Sequence, residues 1–253
     1  VKAPKRLGYR NRIQLHYRGK TIGLIDGLSN EIIEIPACKV IRDELRPAIE
    51  DLYSDRSWSA EHPGSGHCEL YYNRGDLSVQ WDKPYAYGGF SQVFDAMNTA
   101  LRNTVFDYLQ RMEFTSVLEL FVGDGNLSRL PVHENKVQCV RVDNSPINKD
   151  ENFIRMDLFA PSALCDFQAK CKQRHFDVLL LDPPRKGFTA LYQWVKTFKP
   201  KKLIYVSCNL ATLVRDLSSL EGKFVIEDLV LIDLFPSTHH FETVVLISIR
   251  RYK

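Results

Sequence analysis

The chemistry written into this chain starts at a cysteine. Cys208 closes the apolar run "IYVSC" and is followed at once by Asn209 and a helical pattern, "LATLVRDL". By residue type alone a cysteine is a small hydrophobe. A thiol at a strand end, ahead of a helix N-terminus and near Arg185 and Lys186, should instead have its thiolate favoured and serve as a nucleophile. A second cluster, "LLLDPPRKGF", sets Asp182 at the end of another apolar run. Pro183 and Pro184 each fix their own φ angle and restrain the residue before, so a carboxylate here is either rigidly positioned beside Arg185 or part of a structural turn. In "LELFVGDGNLS", Gly123 and Gly125 flank Asp124. Such glycines allow unusual dihedrals and close approach of a ligand to the backbone, although ordinary turns use them too. Asp143 follows about twenty residues on, where a carboxylate binds a ribose diol, and the two features together favour an adenosine-containing cofactor. Asp157 could accept from an adenine amino group or cap a helix.

These residues need elements to hold them. From "FSQVFDAMNTALRNTVFDYLQRM" onward, helices alternate with strands read at 116–122, 137–143, 151–157, 176–182, 202–208, 224–235 and 242–250. Continuous apolar strands imply a sheet covered on both faces, and their alternation with helices implies a doubly wound, mostly parallel α/β domain over residues 86–253. Ligands then bind at the carboxyl ends of the strands, where the clusters above fall. Residues 1–85 read as a small β-rich domain, with "RIQLHY", "TIGLID", "EIIEIP" and "LSVQW" separated by Gly19, Gly27 and Gly75. A helix interrupts them at "VIRDELRPAIEDLY", where Pro47 should kink the helix or begin a turn. No internal repeat or low-complexity tract is present.

At 253 residues and 44% hydrophobic content the chain can bury a large core. No apolar stretch approaches the roughly 20 residues that span a bilayer, and the N-terminus lacks a signal-peptide core, so no membrane partner is expected. The six cysteines form no C-x-x-C pair, and a reduced cytoplasmic setting is the expectation. The chain begins with Val1, which suggests processing or excision from a longer protein. Net charge is only +3, yet the first twenty residues carry Lys2, Lys5, Arg6, Arg10, Arg12, Arg18 and Lys20 with no acidic residue. That stretch is either a polyanion contact, for RNA, or a solvated basic terminus.

"FSQV", "LELFVGDGN", "DPPRKG", "YVSCNLATLVRDL" and "DLFPSTHHFE", in that order, resemble the successive motifs of the RNA 5-methyluridine methyltransferases, which act on tRNA or 23S rRNA with S-adenosylmethionine. The resemblance runs from about residue 8 to residue 248. It implies a Rossmann-like class I methyltransferase domain and transfer of a methyl group to uracil C5. Uracil C5 is a weak nucleophile; adding a thiolate to C6 makes it an enolate-like carbon. By this resemblance Cys208 is the nucleophile, Glu242 the base that removes the C5 proton, and Asp182 the residue that orients the uracil. Gln92, Phe121, Gly123, Gly125, Asn126, Asp143, Asp157 and Asp182 would line the cofactor site. Arg185 and His240, with Arg10 and Arg12 from the basic start, would meet the RNA, whose target uridine must be unstacked. Phe90 and Phe235 could take over its stacking or pack the core.

The chain also departs from that pattern. The connection "NSPINKDENFIRM" between Asp143 and Asp157 is too short for the helix the family usually has there, which implies a more open adenosine pocket. Phe94 stands where asparagine is common after "QV", and His239 where glycine is usual. Many members carry a four-cysteine iron–sulfur cluster upstream, of which only Cys38 has a counterpart; one cysteine holds no cluster, so no metal is expected in this chain unless further ligands precede it. No obligate protein partner is evident. Two other classes compete. An amino-group methyltransferase would want an aromatic residue where Arg185 stands and would leave Cys208 without a task. An RNA-binding or RNA-folding protein on the same scaffold would not need Cys208, Asp182 and Glu242 together.

Overall fold

The computed structural model describes residues 1–73, 75–87, 89, 91–123, 125–127, 137–144 and 152–250. They form two units, Pro4–Asp95 and Ala96–Lys253, the latter joined by Val1–Ala3. The division falls at the start of a long helix, beyond the segment that holds Gln92.

The smaller unit is an antiparallel sheet of β1 (Arg12–Arg18), β2 (Thr21–Ile25), β3 (Ile32–Ile33), β4 (Ser65–Asn73) and β5 (Asp76–Trp81) in the order β3-β2-β1-β4-β5. Two helices, α1 (Arg46–Ser54) and α2 (Trp58–Glu61), lie between β3 and β4 in the chain. Pro47 sits in the first turn of α1, where its missing N–H has no intrahelical partner to lose, so it starts this helix and does not kink it. Alternate residues of β1, Ile13, Leu15 and Tyr17, share a core with Ile49 and Leu52 of α1 and with Cys68 and Leu70 of β4. Burial pushes the Cys68 thiol up to about 12, so it acts there as an apolar group. Strand β4, between β1 and β5, was not expected: "SGHCELYYN" opens on serine, glycine and histidine and lacks clean alternation.

The larger unit begins with α3 (Asp95–Gln110), whose Met97, Leu101, Val105 and Tyr108 recur at helical spacing and are buried. It continues through β6 (Ser116–Leu120), β7 (Gln138–Asp143), β8 (Phe153–Arg155), α4 (Ala163–Lys170), β9 (Val178–Leu181), α5 (Leu191–Phe198), β10 (Lys202–Ser207), α6 (Leu210–Ser218), β11 (Phe224–Ile232) and β12 (Glu242–Ile249). The seven strands run in the order β11-β12-β10-β9-β6-β7-β8. Strands β8, β7, β6, β9 and β10 pair in parallel, while β12 is antiparallel to both its neighbours. Every residue of β6 and β9 is buried, as a sheet covered on both faces requires. The core joins Leu118, Leu179, Leu181 and Tyr205 to Phe167 of α4 and Trp194, Val195 and Phe198 of α5.

From β6 the chain winds one way, to β7 and β8; β9 then returns to the other side of β6, and β10 lies beyond it. The switch point between β6 and β9 opens a crevice at their carboxyl ends. At the far edge, β11 is bulged between Ile226 and Asp228 and leaves Val225, Ile226, Leu229 and Leu231 between 42% and 48% exposed.

Candidate active site

Strand register brings three reactive side chains to neighbouring strand ends. Asp182 follows β9, and its N–H still donates to Leu120 O at 3.4 Å. Cys208 follows β10, whose last pair with β12 is Ser207 opposite Thr243. Extending that antiparallel register by one residue sets Cys208 opposite Glu242. Because β12 runs against the parallel strands, its first residue lies where theirs end.

Electrostatics tie these groups together. Glu242 is 4% exposed, and its Oε2 has no hydrogen-bond partner among the described residues. Burial, and then the Asp182 carboxylate, push its pKa up against the opposing pull of Arg185. Burial likewise raises Asp182, whose carboxylate is enclosed by protein although the residue keeps a partial opening to solvent. Two carboxyls so placed cannot both ionise cheaply. Cys208 is half-buried. Burial raises its thiol, Glu242 and Asp182 raise it further, and Arg185 opposes them. The expectation of a favoured thiolate therefore does not hold: sequence neighbours predicted cations near the sulfur, but the fold also sets two carboxyls there. Arg185 also lowers His240, after burial and His239. His240 lies 6.3 Å from the ring of half-buried Phe235, edge to face.

The β6 turn is built for close approach. Phe121 takes φ +62°, a left-handed conformation unusual for a bulky residue and one that ends the strand at Leu120. Gly123 follows at φ +54°, and a Cβ built there meets no described atom within 4 Å, so the space over the turn is open. Its N–H donates to Asp143 Oδ2 at 2.9 Å, which orients that carboxylate at the end of β7. The Asn126 amide bonds both ways with Asn98 of α3, at 2.8 and 3.1 Å, and so pins the turn to the helix rather than reaching into the crevice. Asp157 Oδ1 accepts from Phe159 N at 2.9 Å, a local turn bond beyond β8. Phe159 packs at 5.4 Å from Phe121, and Lys186 Nζ stands 3.2 Å above its ring.

Other expected site residues are placed differently. Arg12 is 1% exposed: it lies 3.9 Å over the Tyr71 ring, donates to Gly89 O at 2.8 Å and faces Glu69. Its guanidinium is buried within the smaller unit and is not presented to RNA: it lies on the face of β1 opposite Ile13 and Leu15, where Tyr71, Glu69 and Gly89 enclose it. Arg10 is half-buried, with Nε donating to Arg12 O at 2.8 Å. Gln92 is buried in the smaller unit, where its backbone carbonyl accepts from Asn11. Phe90, Asp124 and residues 145–151 of the short connection lie outside the described residues. Sequence reasoning missed the face of α6, where Asn209, Thr212, Arg215 and Asp216 all bear on the loop that carries Arg185. Their spacing of three to four residues, starting at a helix cap, was the available signal.

A doubly wound sheet with one antiparallel strand beside its last parallel one, a glycine turn after the first strand and acidic residues at the next strand ends define the class: a Rossmann-like methyltransferase fold. The solved tRNA (uracil-54, C5)-methyltransferase of Pyrococcus abyssi, a complex with S-adenosyl-L-homocysteine, superposes with a TM-score of 0.72 at 20% identity, covering 96% of this chain and 77% of that one. A tRNA (uracil-5-)-methyltransferase family model matches residues 162–250. The 23S rRNA (uracil(1939)-C(5))-methyltransferase RlmD of Shewanella sediminis is 31% identical over 307 residues, which take in 95% of this chain and 69% of that protein. The chain belongs to the RNA (uracil-5-)-methyltransferase family. The RlmD of Shewanella baltica is 34% identical over 173 residues, 65% of this chain but 38% of its own length.

Proposed function

We propose that this chain carries the catalytic site of an RNA uracil-C5 methyltransferase, with Cys208 as nucleophile, Glu242 as base and S-adenosylmethionine as methyl donor. The observation that carries the reading is the convergence of Cys208, Asp182 and Glu242 on adjacent strand ends, with a buried Glu242 oxygen that no described residue bonds. The turn over 121–125 fits the cofactor: the space over Gly123 is open, and Asp143 is held ready for a diol. Phe121, Gly123, Gly125, Asp143 and Asp157 would hold it. When bound, S-adenosylmethionine supplies an electrophilic methyl group.

The chain's own residues do the rest. The half-buried Cys208 thiol gives its proton to solvent, the thiolate sulfur bonds to uracil C6, and the C5–C6 π electrons move onto C5 and the C4 carbonyl oxygen, which makes C5 nucleophilic. Asp182, whose carboxyl burial holds protonated to higher pH than an exposed aspartate, can in that form donate a hydrogen bond to the uracil edge as that charge develops. Once C5 carries both methyl and hydrogen, Glu242 accepts the C5 proton, and expulsion of the Cys208 thiolate restores the aromatic ring. Arg185 lies close enough to oppose the carboxyls at Cys208, and His240 stands beside it as a support for the base.

The RNA is proposed to be 23S rRNA. Relatives at 31% and 34% identity carry that substrate in their names and weigh more than a solved structure at 20%. Such a protein would work in the cytoplasm with its RNA. Denaturing mass analysis after incubation with S-adenosylmethionine and 5-fluorouridine-containing rRNA fragments tests the reading. Fluorine cannot leave C5 as a cation, so elimination stalls. A methylated adduct on the Cys208 peptide is expected; protein that binds RNA and cofactor yet yields no adduct would overturn the reading.

A further inference from the structure

The four residues that carry Arg185 past the reactive strand ends, 185–188, are gripped by one face of α6. Asn209 Nδ2 and Thr212 Oγ1 both donate to Arg185 O, at 3.1 and 3.2 Å, and Arg215 Nη2 donates to Lys186 O at 2.8 Å. Beneath them lies Asp216, 1% exposed. Its Oδ2 accepts from Phe188 N at 2.6 Å and from Tyr205 O–H at 2.7 Å. Its Oδ1 accepts from Arg215 Nε and Nη2 at 2.9 and 2.7 Å. Each oxygen thus has two donors, which is what a buried carboxylate requires. Gly187 is shaped to the same hub: at φ +71°, a Cβ there would stand 2.5 Å from Asp216 Oδ2.

We infer that Asp216 is a positioning residue for the reaction, fixing the Arg185 loop against Cys208 through its bonds to Phe188 and Arg215. The inference rests on the proposed role of Cys208. The hub touches no reacting atom. It joins β10 through Tyr205, α6 through Arg215 and the loop through Phe188, so the loop that carries Arg185 and the strand that leads to Cys208 are tied to one carboxylate. Among the described residues, the charged groups bearing on Cys208 are Asp182 after β9, Glu242 at the start of β12 and Arg185 from the loop, and of these only Arg185 favours the thiolate. A loosened loop withdraws that one favourable charge.

The test is the pH dependence of iodoacetamide alkylation at Cys208, followed on its proteolytic peptide by mass spectrometry in the full chain. Asp216→Asn keeps an acceptor for Phe188 and Tyr205 but not for Arg215. It should alkylate about threefold to tenfold more slowly near pH 8, with the profile displaced to higher pH. Arg185→Ala should displace the profile the same way, and the double variant should go no further than Arg185→Ala alone. Thr212→Val, which removes one grip and leaves the hub intact, should give a smaller displacement and serves if Asp216→Asn does not fold. A folded variant whose profile overlays that of the parent chain would overturn the inference. Alkylation needs neither RNA nor cofactor, so a failure of the methyltransferase reading would instead show as missing adduct with the alkylation shifts intact.

Discussion

As the proposed base, Glu242 must give up a proton before it can accept one, and its surroundings resist this. Burial and Asp182 hold its carboxyl protonated to higher pH than an exposed glutamate. The acid limb of turnover should therefore lie well above the ordinary carboxylate range, and steady-state rates against pH will locate it. Glu242→Gln should slow turnover about 10² to 10⁴-fold while leaving thiol addition possible. A methylated Cys208 adduct should then accumulate on ordinary uridine, without fluorine, and show by denaturing mass analysis. The same proton bears on stability. A raised folded pKa means the folded state holds the proton through a range where the unfolded chain has lost it. The stabilisation is full below the ordinary value of 4.5 and is lost as pH rises through the raised one. Melting temperatures at about pH 5 and about pH 8 should fall less in Glu242→Gln than in the parent chain.

At the scale of elements, the loop over 185–188 and helix α6 act as one piece. Gly187→Ala should lower stability by about 1 to 3 kcal/mol through its left-handed φ alone, with the clash against Asp216 added. Urea unfolding of the variant checks this, and Asn209→Ala, which removes the helix cap, should cost about 1 kcal/mol in the same assay. The strands of the larger unit were legible because β9 is apolar throughout and β6 and β10 hold apolar stretches between few polar residues, and their ends carried the clusters that meet in the crevice. Other features were not. Strand 116–122 stops at Leu120 because Phe121 takes a conformation that no residue-type rule assigns to phenylalanine. Asp216 reads as a solvated charge in "VRDL", since its partners Phe188 and Tyr205 come from separate segments. Arg12 read as part of a basic run, although β1 alternation turns it toward Tyr71 and Glu69.

Across the whole molecule, the two units have separate cores, one around Leu15, Leu70 and Trp58 and one around Leu179, Phe188 and Trp194. Leu70→Ala should cost about 2 to 5 kcal/mol. Hydrogen exchange read by mass spectrometry should then rise over residues 4–95 while 96–250 keep their protection; a rise over both would show that they unfold as one. The edge strand of the larger sheet has a different consequence. Strand β11 offers half-exposed apolar side chains, and an edge of that kind can template pairing with a neighbouring chain. The bulge between Ile226 and Asp228 interrupts the ladder at Glu227, which is paired with Lys202. Bulges and edge charges are the devices by which sheets avoid aggregation. Glu227→Val should scatter light increasingly with protein concentration while its melting temperature barely changes. That outcome would tie the solubility of the larger unit to a charge at the bulge, which Lys202 holds at the opposite end of β10 from Cys208.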